Sequence, residues 1–136
     1  MTPELTTLTL AALLQVIQFI LMAIPANLEL GTAKTLSPRD PGRLDKPLMD
    51  QMSPRTSRLY RALNNHFEAL ILFSIAVMVI TVTDQSTFVT QWAAYLYLLA
   101  RVLYVPAYAF GWVPWRSLIW FVGMASTVVI LAAALI

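Results

Sequence analysis

Four long runs of apolar positions dominate the chain, separated by one long polar stretch and two short polar turns. The runs cover about residues 5–28, 62–83, 88–110 and 115–136. A helix needs about 20 mostly apolar residues to cross the hydrocarbon core of a bilayer, and each run is long enough. Helix-end signals agree. Thr2-Pro3 and Ser53-Pro54 each set a capping side chain before a proline at the first helical position. The second helix is therefore expected to run from Pro54 to Thr83, about 45 Å at 1.5 Å per residue. Its first two turns, with Arg55 and Arg58, would stand clear of the membrane. Pro106 removes a backbone donor and is expected to kink the third helix near Val102. Asp84-Gln85-Ser86 and Gly111-Trp112-Val113-Pro114 read as tight turns, which join antiparallel neighbours. Residues 31–53 are polar and proline-rich, with little helix potential. The expected fold is all-α, an integral membrane four-helix bundle forming one domain over residues 1–136.

Composition sharpens this. Charged residues make up 12% of the chain, against about 25% in soluble domains. Where the charges fall matters more than the net +2. Lys34, Arg39, Arg43, Lys46, Arg55, Arg58 and Arg61 lie in or beside the long loop, and Arg101 and Arg116 lie toward the last turn, on the same side. The opposite side carries Glu4 and Asp84 and no basic residue. The positive-inside rule then makes the long loop cytoplasmic and sets both termini outside. Trp112, Trp115 and Trp120 fit an interfacial belt on the cytoplasmic side. The N-terminus has Glu4 and no basic residue before its apolar run, so the run reads as a retained span rather than a secretory signal. The pattern is compatible with a bacterial inner membrane. No basic run is dense enough for nucleic acid. The absence of cysteine excludes a disulfide framework and a thiolate nucleophile from the chain itself, and a lone histidine argues against a metal site.

Polar residues inside the spans are the candidates for function, because a charge at the bilayer centre costs about 2.5–3.5 kcal/mol on insertion scales. In the second span Arg58, Arg61, Asn65 and Glu68 follow spacings of three, four and three, one helix face. In the third, Arg101, Tyr104 and Tyr108 follow three and four. Glu68 and Arg101 fall at similar depth, roughly 10–14 Å along their helices at 1.5 Å per residue, and are expected to pair. Such a pair alone fits a packing role as well as a site. The whole set exceeds what packing needs, and points to a polar cavity for an anionic or zwitterionic ligand. Arginines supply fork geometry for carboxylates, and tyrosines place hydroxyls at an apolar wall. Gln15 and Gln18 read as interhelical hydrogen bonds. His66 points off the stripe, and Asn27 and Glu29 mark a helix end.

Arg61-Ala62-x-x-Asn65-x-x-Glu68 on the second span resembles the signature of the MAPEG family, the membrane-associated proteins of eicosanoid and glutathione metabolism. Arg101-x-x-Tyr104-x-x-x-Tyr108 resembles that family's second motif, and Arg116-Ser117 its third. The resemblance covers essentially the whole chain. It implies a homotrimer with glutathione bound between subunits near the cytoplasmic face, and a lipophilic second substrate arriving from the membrane lipid. It implies that Arg61, Asn65 and Glu68 hold the glutathione backbone and carboxylates, with Arg58 on the same stripe. Tyr104 and Tyr108 would hydrogen-bond it, and Arg101 would brace Glu68. Arg116 would favour the thiolate, and Ser117 would donate to the same sulfur. Lys34 is the loose counterpart of an arginine at the end of the first helix that contacts glutathione in other members. Ala69 and Trp120 stand where particular members carry tyrosine, which separates this chain from their eicosanoid activities.

Three functions compete at this point. The first is a glutathione-dependent transferase or peroxidase. The second is a non-catalytic lipid-binding or scaffold protein on the same fold. The third is a small multidrug-type transporter, disfavoured because such proteins are similar to one another in a first-span glutamate and short loops.

Overall fold

Helix ends in this protein are set by side chains. Thr2 accepts from the Leu5 amide at 3.3 Å and starts α1, Pro3–Leu30. Ser53 Oγ accepts from the Thr56 amide at 3.3 Å and starts α2, Pro54–Val82. Thr87 and Thr90 form a reciprocal capping box at the start of α3, Phe88–Ala109. The last helix, α4, spans Trp115–Leu135. A 3-10 turn, Leu48–Gln51, precedes α2. The computed structural model describes residues 1–31 and 48–136; Lys34 and most of the long polar loop lie outside the described residues. Pro25 and Pro106 both sit inside continuous helices.

All four helices are long and apolar enough to cross a membrane. Each buries a stripe at heptad-like spacing. On α1 the stripe is Glu4, Thr7, Ala11, Gln18, Met22 and Ala26. On α2 it includes Ala62, His66, Phe73, Ala76, Val77 and Ile80. Leu13, Val16, Ile20, Ile71, Ile75 and Met78 face outward, an apolar exterior suited to lipid rather than water. The central helix is α3: 44% of its apolar window is buried, against 22–28% for the other three. Its contacts are close because the core is rich in alanine. Ala11, Ala76, Ala93 and Ala94 surround Phe73 and Tyr97, whose rings stack at 3.8 Å. Small residues bring helices together in a medium that supplies little hydrophobic drive. Hydroxyls within the spans return to their own helices: Ser74, Thr81, Ser126 and Thr127 each donate to the carbonyl four residues earlier.

Two carboxylates fasten the ends. Glu4 is fully buried and accepts from Ser86 Oγ at 2.8 Å and Thr90 Oγ1 at 2.6 Å, tying the start of α1 to the α2–α3 turn. At the other end Glu29 accepts from the Ser53 amide at 3.0 Å and Thr56 Oγ1 at 2.8 Å, so the end of α1 is bound to the start of α2. Glu29 is thus a cross-link as well as a helix-end marker.

The expected interhelical bonds of the glutamines do not form among the described residues. Gln15 Oε1 and both amide atoms of Gln18 are buried without a hydrogen-bond partner.

Candidate functional site

Between α2, α3 and α4, at the end of the bundle carrying the arginines, lies a cleft of about 410 Å³. Helix α2 contributes Arg61, Asn64, Asn65 and Glu68, α3 contributes Tyr104 and Tyr108, and the first turns of α4 contribute Arg116, Ser117 and Trp120. Seven sequence-predicted residues therefore meet in one place: Arg61, Asn65, Glu68, Tyr104, Tyr108, Arg116 and Ser117. The cause is helical spacing. Residues three and four apart share a face, and α2 and α3 turn these faces toward the start of α4.

Guanidinium groups and tyrosine rings build the cleft. Arg101 lies over the Tyr104 ring, 4.4 Å from its centroid. The Tyr104 and Tyr108 rings are 5.5 Å apart. Arg116 lies 4.8 Å from the Tyr108 centroid. Arg61 donates from Nε to the Tyr108 hydroxyl at 3.2 Å. Tyr108 therefore seats the α4 arginine and one α2 arginine at once. Among the described residues no carboxylate pairs with Arg61, Arg101 or Arg116. Each ring face draws a cation by its quadrupole, which concentrates positive charge without neutralising it.

Arg101 does not pair with Glu68. It is 2% exposed and turns inward, donating from Nε to His66 Nδ1 at 3.1 Å and from Nη1 to Asn65 Oδ1 at 3.0 Å. Glu68 lies on the exposed, cleft-facing side of α2 and has no partner among the described residues. The cause is angular: at similar depth, the inner surface of α2 presents Asn65 and His66 to α3, while Glu68 opens on the cleft. Asn65 is oriented by this contact. Arginine only donates, so the amide oxygen faces Arg101 and the amide nitrogen is left to donate elsewhere.

Arg58 does not line the cleft. Its guanidinium lies over Gly111, where an added Cβ would stand 3.2 Å from Nη1. Gly111 has φ +67°, in the turn before α4, and its missing side chain makes room for Arg58. Lys34 lies outside the described residues. Asn64 was not among the expected residues, yet it lines the cleft; its spacings of three from Arg61 and four to Glu68 place it on the same face. Trp120, noted in the sequence as a belt residue and as a departure from other members, forms the cleft's apolar wall.

Among the described residues the cleft thus offers guanidinium, amide and hydroxyl donors around the Glu68 carboxylate, a set suited to a zwitterion with an excess of negative charge. No curated protein and no solved structure matches the chain. The MAPEG family model matches residues 7–136. With that match over nearly its whole length, and with four membrane-spanning helices, the chain belongs to the MAPEG family, membrane proteins of glutathione and eicosanoid metabolism.

Proposed function

We propose that the protein is a membrane-embedded glutathione-dependent transferase or peroxidase. It would act on lipophilic electrophiles or hydroperoxides. The observation that carries this reading is the set Tyr104, Tyr108, Arg116 and Arg61 facing one cleft, with Arg101 behind the Tyr104 ring and no carboxylate paired with these arginines among the described residues. Glutathione has two carboxylates, one ammonium and one thiol. Arg61 and the Asn65 amide nitrogen suit its carboxylates, and Glu68 suits its ammonium. Arg116, seated on Tyr108, would face the sulfur with Ser117.

A thiol of pKa about 8.5 is mostly protonated at neutral pH, and an adjacent cation favours the nucleophilic thiolate. The thiol proton leaves to water. The thiolate electron pair then forms a carbon–sulfur bond, and the carbon–leaving-group bond breaks with its electrons on the leaving group. With a hydroperoxide, sulfur instead attacks the terminal oxygen; the oxygen–oxygen bond breaks, leaving a sulfenic acid on sulfur, and the departing alkoxide takes a proton. A second thiol then attacks the sulfenic sulfur and displaces its hydroxyl as water, which completes a disulfide. Both reactions begin with the same thiolate.

A polar cleft open to the side of a bilayer needs a cover. We take that cover to be a second copy of the chain, in a homotrimer, with the long loop cytoplasmic, the termini outside and the bacterial inner membrane as the setting. Lys34 would add a cation from the loop.

One observation favours the lipid-binding reading. An apolar groove of about 570 Å³ lies away from the polar cleft, between α3 and α4, lined by Trp92, Leu96, Leu99, Phe121 and Val129. An acyl chain fits such a surface.

Thermal unfolding with rising glutathione tests the proposal. A ligand that binds only the folded form stabilises it by about 2.7 kcal/mol at a hundred times its dissociation constant. The thiol reading expects a saturable rise, reduced in Arg61→Ala, and turnover of an electrophile or hydroperoxide that is lost in Arg116→Ala. A protein that gains stability from lipid and none from millimolar glutathione belongs to the lipid-binding reading.

A further inference from the structure

The chain's single histidine is fully buried and faces away from the cleft, so it touches no ligand there. Its two ring nitrogens nevertheless join three helices. Nε2 lies 2.9 Å from the Ala11 carbonyl of α1, and Nδ1 lies 3.1 Å from Arg101 Nε of α3. A carbonyl oxygen only accepts and a guanidinium only donates. Nε2 must therefore carry the proton and Nδ1 must accept, the neutral Nε2–H tautomer. Arg101 sits behind the cleft, with Nη1 on Asn65 Oδ1 at 3.0 Å and its plane over the Tyr104 ring at 4.4 Å.

From this chain of contacts we infer that His66 is a positioning residue for the thiol ligand. By accepting from Arg101 Nε it holds the guanidinium at the angle that orients the Asn65 amide and backs the Tyr104 ring. The inference rests on the thiol-site reading above. Its reach is limited by geometry. Asn65 and Tyr104 belong to the part of the cleft that would bind the ligand body, whereas Arg116 and Ser117 stand on α4 with no contact to His66. Loss of the His66 acceptor is thus expected to weaken thiol binding and to leave the step at sulfur unchanged. A histidine that only packs α1 against α2 would act through Ala11 and through stability.

Two substitutions separate these roles. An asparagine side-chain oxygen sits on Cγ, as Nδ1 does, so His66→Asn keeps an acceptor toward Arg101 and gives up the Ala11 bond. A glutamine amide reaches the position of Nε2, so His66→Gln keeps a donor toward Ala11 and gives up the Arg101 bond. Steady-state kinetics with glutathione and an electrophile, together with thermal midpoints, are measured for both proteins in detergent. Expected are a KM for glutathione within about twofold of wild type in His66→Asn despite a lower midpoint, and a KM raised about tenfold in His66→Gln with kcat unchanged. A KM that follows the thermal midpoint across the variants overturns the inference, as does a His66→Gln protein with wild-type KM. Wild-type protein that binds no glutathione overturns the thiol reading and this inference together, while wild-type binding with an unaffected His66→Gln removes the inference alone. Should either variant fail to fold, the wild type suffices: with one histidine, selective ¹⁵N labelling gives one pair of ring signals. The Nε2–H tautomer with an accepting Nδ1 is required, and an Nδ1–H tautomer or an imidazolium at neutral pH refutes it.

Discussion

Tyr108 offers the sharpest dissection of the cleft, because its hydroxyl accepts from Arg61 alone while its ring lies nearer to Arg116, at 4.8 Å, than to Arg61, at 5.9 Å. Tyr108→Phe removes the acceptor for Arg61 Nε, a 3.2 Å bond, and keeps the ring beneath Arg116 at 4.8 Å. A hydrogen bond to a charged group contributes about 1.5–3 kcal/mol when well buried. Arg61 is exposed in the single chain, so a discounted range of about 0.5–1.5 kcal/mol is appropriate. At about 1.4 kcal/mol per tenfold, that is a loss of about 2- to 12-fold in thiol affinity. Arg116 keeps its seat, so kcat is expected to stay within about twofold. Tyr108→Leu also removes the ring face. A cation–π contact at an exposed site contributes about 0.5–1 kcal/mol, and Arg116 loses its support. A further 2- to 5-fold loss is expected, this time in kcat. The assay is glutathione conjugation by purified protein, with KM and kcat resolved. The reasoning is refuted if Tyr108→Phe lowers kcat as much as it raises KM, or if Tyr108→Leu is no worse than Tyr108→Phe.

Other perturbations have equally definite outcomes. Glu68→Gln should leave the thermal midpoint unchanged, since Glu68 is exposed and has no partner among the described residues. It should weaken glutathione but not its N-acetylated form in parallel binding titrations. Thr90→Val removes a 2.6 Å donor to buried Glu4 and half of the α3 capping box; a loss of about 2–3 kcal/mol is expected, read as a lower unfolding midpoint with KM unaltered. At Gly123 an added Cβ would meet Ala100 Cβ at 3.6 Å and Arg101 Cδ at 3.9 Å, ordinary contact distances. Gly123→Ala should therefore retain activity, while Gly123→Leu should force α4 from α3 and abolish it, with cleft binding as the readout.

The apolar runs and the two Xaa-Pro caps made the four helices legible before any coordinates, because length, lipid-compatible composition and capping act locally. The same holds for the cleft residues at three- and four-residue spacing, which share a face whatever the neighbours do. Three things were not legible. Glu68–Arg101 pairing was inferred from depth along each helix, but partners are decided by rotation about the helix axis, and this turned Arg101 inward to His66 and Asn65. Arg58 lies on the predicted stripe, yet its long side chain folds over Gly111, a contact set by the turn before α4. Glu4, one acidic residue before an apolar run, gave no sign of its three contacts with hydroxyl groups of Ser86 and Thr90, more than eighty residues away. Asn64 was legible and overlooked: its spacing fits the stripe as well as that of Asn65.

Under the proposed function, this cleft binds glutathione and Arg116 favours its thiolate. The most direct measurement is the ultraviolet thiolate absorbance of glutathione bound to the purified protein, followed against pH in wild type and in Arg116→Ala. This role for Arg116 requires a bound thiol that ionises well below the free-thiol value of about 8.5, and a return toward that value in Arg116→Ala while binding persists. A bound thiol that ionises like the free one, or the same depressed ionisation in both proteins, would contradict it.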